Sequence, residues 1–138
     1  MRLLGIDYGD KRIGVAITDE LCMLAHPLTT INRNGSDEFT KLSALIKEYN
    51  ITSIVIGLPY EMDDKIGRAA EKVKKFVDKL KKHVDNLPVS FFDERMTSKE
   101  TENELRKFGV SRKKRQKKID MLSARLILEN YLREKICY

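Results

Sequence analysis

Apolar positions follow two rhythms along the chain. Leu3 to Tyr8, Arg12 to Thr18, Thr52 to Leu58 and Val89 to Phe92 are short, β-branched or aromatic stretches bounded by Gly, Pro or Asp, and they predict strands. Asp10-Lys11 supplies a turn between the first two, which therefore open the chain as a hairpin. A third strand is predicted at Met23 to Leu24 or at Leu28 to Ile31, where Pro27 confines it to an edge or an irregular segment. Helical spacing takes over at Phe39, Leu42, Leu45, Ile46 and Tyr49, with Ser36 as the cap and Asp37 and Glu38 in the first turn, and the helix ends near Asn50. It returns from Arg68 to about Val84, where Ala69, Val73, Phe76, Val77, Leu80 and Val84 line one side and lysines the other.

After the Val89 strand, Thr97 and Glu100 form a T-x-x-E capping box for a short helix that ends near Phe108 with Gly109 as its stop. Residues 109–118 are too basic to be buried and read as a loop. A last helix is predicted from about Ile119 to Lys135, with Leu122, Leu126, Ile127 and Ile136 as core candidates. Strand, helix, strand, helix, strand with right-handed crossovers makes the class α/β, with a mostly parallel sheet and an antiparallel hairpin at its start. The 138 residues suffice for one domain, 1–138, and show no internal repeat or linker.

Composition narrows the partners. With 27 Lys and Arg against 21 Asp and Glu, the net charge of +6 favours a polyanion such as nucleic acid. No apolar run approaches the roughly 18 residues of a membrane span, so the expected setting is the cytoplasm, without a membrane partner. Cys22 and Cys137 form no CxxC pair and have no histidine at ligand spacing, which fits reduced thiols. His26, before Pro27, and His83, in a lysine-rich helix end, both read as solvated.

Candidate chemistry rests on carboxylates. In Gly5-Ile6-Asp7-Tyr8-Gly9 an acid lies inside an apolar strand, with glycines two positions away on either side sharing its face. Their missing side chains leave room beside Asp7 for a hydrated ion or a phosphate. Asp10 serves the hairpin turn more naturally than Asp7 does. Farther on, the Val89 strand runs straight into Asp93-Glu94-Arg95. Alternation sends the two acids to opposite faces, so one of them is expected at the site. Glu94 is preferred for its reach, and Asp93 is the substitute, as a supporting group or a cap. Asp120 opens the last helix, where the helix dipole alone favours an acid; small Ser123 and Ala124 one turn later would let that helix pack tightly on the sheet near Asp7.

Three carboxylates gathered together repel one another unless a cation neutralises them. Oxygen-only ligands suit Mg²⁺ or Mn²⁺, and two such ions about 4 Å apart support in-line hydrolysis of a phosphodiester without a protein nucleophile. Arg106, Lys107, Arg112, Lys113, Lys114, Arg115, Lys117 and Lys118 form an acid-free basic run just before Asp120, placed to deliver a phosphate backbone to it. Arg12 and Arg95, beside the acids, join them as nucleic-acid contacts.

The set of motifs Gly5-Ile6-Asp7-Tyr8-Gly9 with Arg12-Ile13-Gly14-Val15-Ala16, Gly57-Leu58-Pro59, Asp93-Glu94-Arg95-Met96-Thr97, and Asp120 with Ser123-Ala124 and Ile127-Leu128 resembles the YqgF-type family of pre-16S ribosomal RNA nucleases and Holliday-junction-resolvase-like proteins. The resemblance covers nearly the whole chain. Asp64, where a glycine is common, and Ser123, where alanine is usual, depart from the pattern without removing a ligand. It implies a ribonuclease H-like fold, with a five-stranded mixed sheet ordered 3-2-1-4-5, helices on both faces, and Asp7, Glu94 and Asp120 as catalytic metal ligands. In that order Glu94 would reach across Gly57 to meet Asp7. The expected activity is metal-dependent endonucleolytic cleavage of structured RNA, trimming a ribosomal RNA precursor in ribosome biogenesis. The alternatives are resolution of branched DNA, which needs a two-fold dimer where RNA trimming is compatible with a monomer, and a non-catalytic RNA-binding module. Asp-x-Gly before a hairpin also opens actin-like ATPases, but those enclose a nucleotide between two domains and this chain has one.

Overall fold

The computed structural model describes residues 1–33, 37–59, 66–84, 87–94 and 112–136, with the backbone alone described at 59, 66–69, 93, 94, 112–117, 135 and 136. Five strands, β1 (Leu3–Tyr8), β2 (Arg12–Thr18), β3 (Ala25–Asn32), β4 (Ser53–Pro59) and β5 (Val89–Glu94), form one sheet in the order β3-β2-β1-β4-β5. Contacts β1–β2 and β2–β3 are antiparallel, whereas β1–β4 and β4–β5 are parallel. The expected mixed sheet and its order are therefore observed. Helices α1 (Glu38–Glu48) and α2 (Ile66–His83) cover one face and α3 (Arg112–Ile136) the other.

Alternation along the strands sorts the core into two halves. Leu4, Ile6, Ile13, Val15, Ile54 and Ile56 meet Leu42 and Ile46 of α1 and Val73, Phe76, Val77 and Leu80 of α2. On the other face Leu3, Ala16 and Val55 meet Ala124, Ile127, Leu128 and Leu132 of α3. Helix α1 stops at Asn50, whose positive φ of 53° turns the chain so that Ile51 N–H reaches the Ile46 carbonyl.

Three expectations are corrected. The third strand is continuous from Ala25 to Asn32: Val15 pairs with Thr29 and Ala16 with Pro27, so Leu28 is an extra residue that absorbs the proline as a bulge on an edge strand. The basic segment from Arg112 to Lys118 is helical, because Lys, Arg and Gln are good helix formers and no glycine or proline interrupts them. Finally, the buried stripe of α3 is Ile119, Ser123, Ala124, Ile127, Leu128 and Leu132, while Leu122 and Leu126 are only half-buried. Small residues occupy the contact line because the helix backbone lies almost against the sheet. Asp37 holds the N-cap position of α1, and Ser36, residues 60–65 and the Thr97–Phe108 helix lie outside the described residues.

Two strand glycines create that approach. A Cβ at Gly5 would fall 2.5 Å from Leu128 Cγ and 3.0 Å from the Ala124 carbonyl oxygen, and one at Gly14 would overlap the backbone carbonyl of Asp120. Gly14→Ala is thus predicted to cost about 3 kcal/mol or more, since a backbone group must move, and Gly5→Ala less, since a leucine side chain can yield. Midpoints of urea denaturation for the two variants check the ranking.

Candidate active site

Asp7 is the cross-strand neighbour of Gly14, placing their Cα atoms about 5 Å apart. It shares the α3-facing side of β1 with Gly5 and is half-buried. Over Gly14 itself passes the backbone of Asp120. One glycine therefore adjoins two acids separated by 113 positions, Asp7 beside it in the sheet and Asp120 above it. Sequence reading quoted Gly14 within a motif without giving it a role; its signal was its place opposite Asp7 in the hairpin.

Asp120 is the ninth residue of α3 rather than part of its opening turn. The helix dipole fades beyond the first turn, so it does not account for an acid here. Asp120 instead meets Arg12, whose Nε donates to its Oδ2 at 2.7 Å, with side-chain exposures of 25% for the arginine and 15% for the aspartate. Burial pushes the Asp120 carboxyl above its ordinary value of 3.8, and the hydrogen bond and charge of Arg12 oppose that rise without cancelling it.

Arg12 is held by a closed turn. Gly9 N–H donates to the Arg12 carbonyl at 2.9 Å, and Arg33, from the end of β3, donates through one terminal nitrogen to the carbonyls of Gly9 at 2.8 Å and Asp10 at 3.0 Å. The Arg33 guanidinium also lies 4.4 Å over the Tyr8 ring, and its Nε is 3.6 Å from the buried Glu38 carboxylate. Arg33 thus staples the turn between Asp7 and Arg12 to α1. No local pattern marks it, because Tyr8, Gly9 and Asp10 are distant in sequence and Glu38 alone lies nearby.

Glu94 ends β5, its backbone in register with Pro59, and Gly57 of β4 is in register with Phe92. Strand β4 separates β5 from β1, and because Glu94 is level with Pro59, Gly57 is not the β4 residue directly between it and β1. Phe92, two positions before Glu94, packs edge-on against Tyr131 of α3 with centroids 6.5 Å apart. The side chains of Asp93, Glu94 and residues 112–117, and all of Arg95, Arg106 and Lys107, lie outside the described residues; Lys118 is exposed. Among the described residues no three metal-ligating side chains come together. The two histidines are exposed and remote, His83 stacking on Phe39. Cys22 is buried, with Sγ 3.1 Å from the Met1 carbonyl oxygen. No helix among the described residues is long and apolar enough to cross a membrane.

The sheet order β3-β2-β1-β4-β5 with helices on both faces is that of the ribonuclease H-like fold. Solved structures with that fold include Thermus thermophilus RuvC in complex with a Holliday junction substrate, with a TM-score of 0.58 at 15% identity over 98% of this chain and 97% of the other. The fowlpox virus Holliday junction resolvase has a TM-score of 0.53 at 12% identity, covering 99% and 100%. The family model described as RuvX, Holliday junction resolvase, matches residues 1–134, and the chain belongs to that family. Full-length relatives are named "Putative pre-16S rRNA nuclease". The one from Caldanaerobacter subterraneus subsp. tengcongensis is 45% identical over 134 residues, 96% of each chain. That from Halothermothrix orenii is 44% identical over 133 residues, 96% of this chain and 94% of the relative.

Because the Asp120 carboxyl holds its proton more tightly in the folded than in the unfolded chain, it contributes stability at acid pH that is lost as pH rises from about 3.8 through the higher folded value. In metal-free protein at pH 7, Asp120→Asn is therefore predicted to raise the melting temperature. The gain should vanish near pH 3. Scanning calorimetry at both pH values in the presence of chelator checks this; a loss at pH 7 would show that pairing with Arg12 outweighs burial.

Proposed function

We propose that this protein is a divalent-metal-dependent endonuclease acting on structured nucleic acid, with the 5′ end of pre-16S ribosomal RNA as its substrate and the cytoplasm as its setting. The observation that carries the reading is the convergence of Asp7 and Asp120 on Gly14, two half-buried acids with oxygen donors only. A hard cation such as Mg²⁺ or Mn²⁺ fits such a donor set, and among the described residues neither histidine is near it and Cys22 is hydrogen-bonded elsewhere. Glu94 completes the trio. Of the two acids at the end of β5 it is the one in step with Phe92, the residue that meets α3, and this parity favours it over Asp93.

Asp7, Glu94 and Asp120 would hold the ions. When bound, two divalent ions supply the positive charge that in-line phosphodiester hydrolysis requires. The chain's own contribution is positional. Gly14 brings the acids together, the Arg33 staple fixes the turn between Asp7 and Arg12, and burial under α3 limits water around Asp120.

Nucleic-acid binding is supported by the start of α3. Arg112, Lys113, Lys114 and Arg115 stand at the positive end of the helix dipole, and no acid occupies the first turn. Such a helix start is electrostatically unfavourable alone and is relieved by a polyanion. Asp120 follows eight residues later, about 12 Å along the axis, so a phosphate backbone held at the helix start lies near the acids. Arg106, Lys107, Lys117 and Lys118 extend the same acid-free run, and Arg95, beside Asp93 and Glu94, joins them as a separate contact.

RNA is preferred because the full-length relatives at 44–45% identity carry an rRNA nuclease name. A second reading, branched DNA as substrate, is favoured by the family model's resolvase description; it requires a two-fold dimer to make paired cuts.

Labelled precursor RNA and four-way DNA junctions, incubated with Mg²⁺, Mn²⁺ or chelator, decide between these. Wild type is expected to cut RNA only with metal, and Asp7→Asn, Glu94→Gln and Asp120→Asn to be slower by at least about 100-fold. Preferential cutting of the junction by a dimer would select the second reading; equal cleavage by Asp7→Asn would overturn both. If the acids have only structural roles, RNA binding persists in all variants with no cleavage to lose. Replacing Lys113, Lys114 and Arg115 by glutamine should weaken RNA binding and reduce the slope of log K against log salt by about 2 to 3, as fluorescence anisotropy at several salt concentrations would show.

A further inference from the structure

Arg12 precedes Gly14 by two residues on β2, on the same face of the sheet, and its Nε–H is committed to Asp120 Oδ2 at 2.7 Å. Both side chains are largely withdrawn from water, so their attraction is less screened than that of a surface pair. The arginine backbone is fixed by the Gly9–Arg12 hydrogen bond and by Arg33 bracing the same turn, so the guanidinium cannot drift away with the loop. Arg33 is engaged with Gly9, Asp10 and Tyr8, and Lys118 is exposed; among the described residues Arg12 is the cation hydrogen-bonded to Asp120.

This arrangement answers a difficulty of the proposed site. Asp7 and Asp120 adjoin the same glycine, and in protein without metal the largely buried Asp120 carboxylate opposes folding unless a positive charge faces it. A guanidinium against Asp120 supplies that charge. The same guanidinium then repels any divalent ion approaching that carboxylate, at a separation of a few ångströms and with little intervening water.

We propose that Arg12 is the internal counter-ion of Asp120: it stands in for the metal in the metal-free protein and thereby holds the affinity for divalent cations low. The inference rests on the reading of Asp7 and Asp120 as cation ligands. Arg12 acts through Asp120 as a positioning residue. A purely structural arginine would have the opposite effect on metal binding when replaced, because losing it would disorder a ligand.

The test is Mn²⁺ titration of the purified full-length chain, without nucleic acid, with free Mn²⁺ followed by electron paramagnetic resonance. Arg12→Gln keeps a hydrogen-bond donor for Asp120 and removes the charge; it is expected to bind Mn²⁺ at least fivefold more tightly than wild type. Arg12→Lys, which keeps the charge, should stay within about twofold of wild type. Equal or weaker binding by a folded Arg12→Gln overturns the inference, and circular dichroism verifies folding. Should that variant fail to fold, Arg12→Met, which is neutral and similar in length, is judged by the same criterion. Asp7→Asn and Asp120→Asn separate the two levels of the argument. If either abolishes Mn²⁺ binding while Arg12→Gln does not tighten it, only the role of Arg12 falls. If neither changes Mn²⁺ binding, the acids are not the metal site and both readings fall.

Discussion

The contact between α3 and the β1–β2 hairpin governs the rest of this structure. It is made possible by what Gly5 and Gly14 lack, since a single carbon at Gly14 would occupy the space of the Asp120 carbonyl. Helix and sheet meet backbone to backbone at Gly14 and backbone to side chain at Gly5 instead of through two layers of large residues, and the helix presents Ser123 and Ala124 to match. Tight packing of this kind gains dispersion contacts while tolerating almost no enlargement. Its result is positional: residues from the two ends of the chain are set beside one another on elements too well packed to drift.

Around that contact the charges are arranged against stability and in favour of chemistry. A largely buried acid with a raised pKa costs the fold something even with an arginine attached. The basic start of α3 compounds this by placing like charges at the wrong end of a helix. Both features make physical sense in a protein that meets cations at one point and a polyanion at another. A raised carboxyl and an unbalanced helix start thus both lie on α3, where the proposed substrate would bind.

Much of this was legible in the sequence where the signal is local. Runs of β-branched residues marked β1, β2, β4 and β5, and helical spacing marked α1 and α2. The isolated Asp7 between two glycines marked a candidate site, because period two places all three on one face. Elsewhere local rules conflicted. Pro27 argued against a strand that survives through a bulge at Leu28, and the basic run argued for a loop although its residues favour helix. Leucines at 122 and 126 drew attention away from the smaller residues that make the contact. The pairing of Arg12 with Asp120 spans 108 positions, and Arg33 reaches back 24 to the Gly9 carbonyl. Contacts of that range follow from topology, which only the resemblance of the motif set had suggested beforehand.

The bulged margin of the sheet has a consequence of its own. On β3, Pro27 offers no amide hydrogen and Leu28 breaks the repeat, so this border is a poor template for another strand. A neighbouring molecule could not simply prolong the ladder there. Self-association by sheet extension, a common hazard for an α/β protein with an uncovered flank, is discouraged by the same irregularity that hid the strand from view.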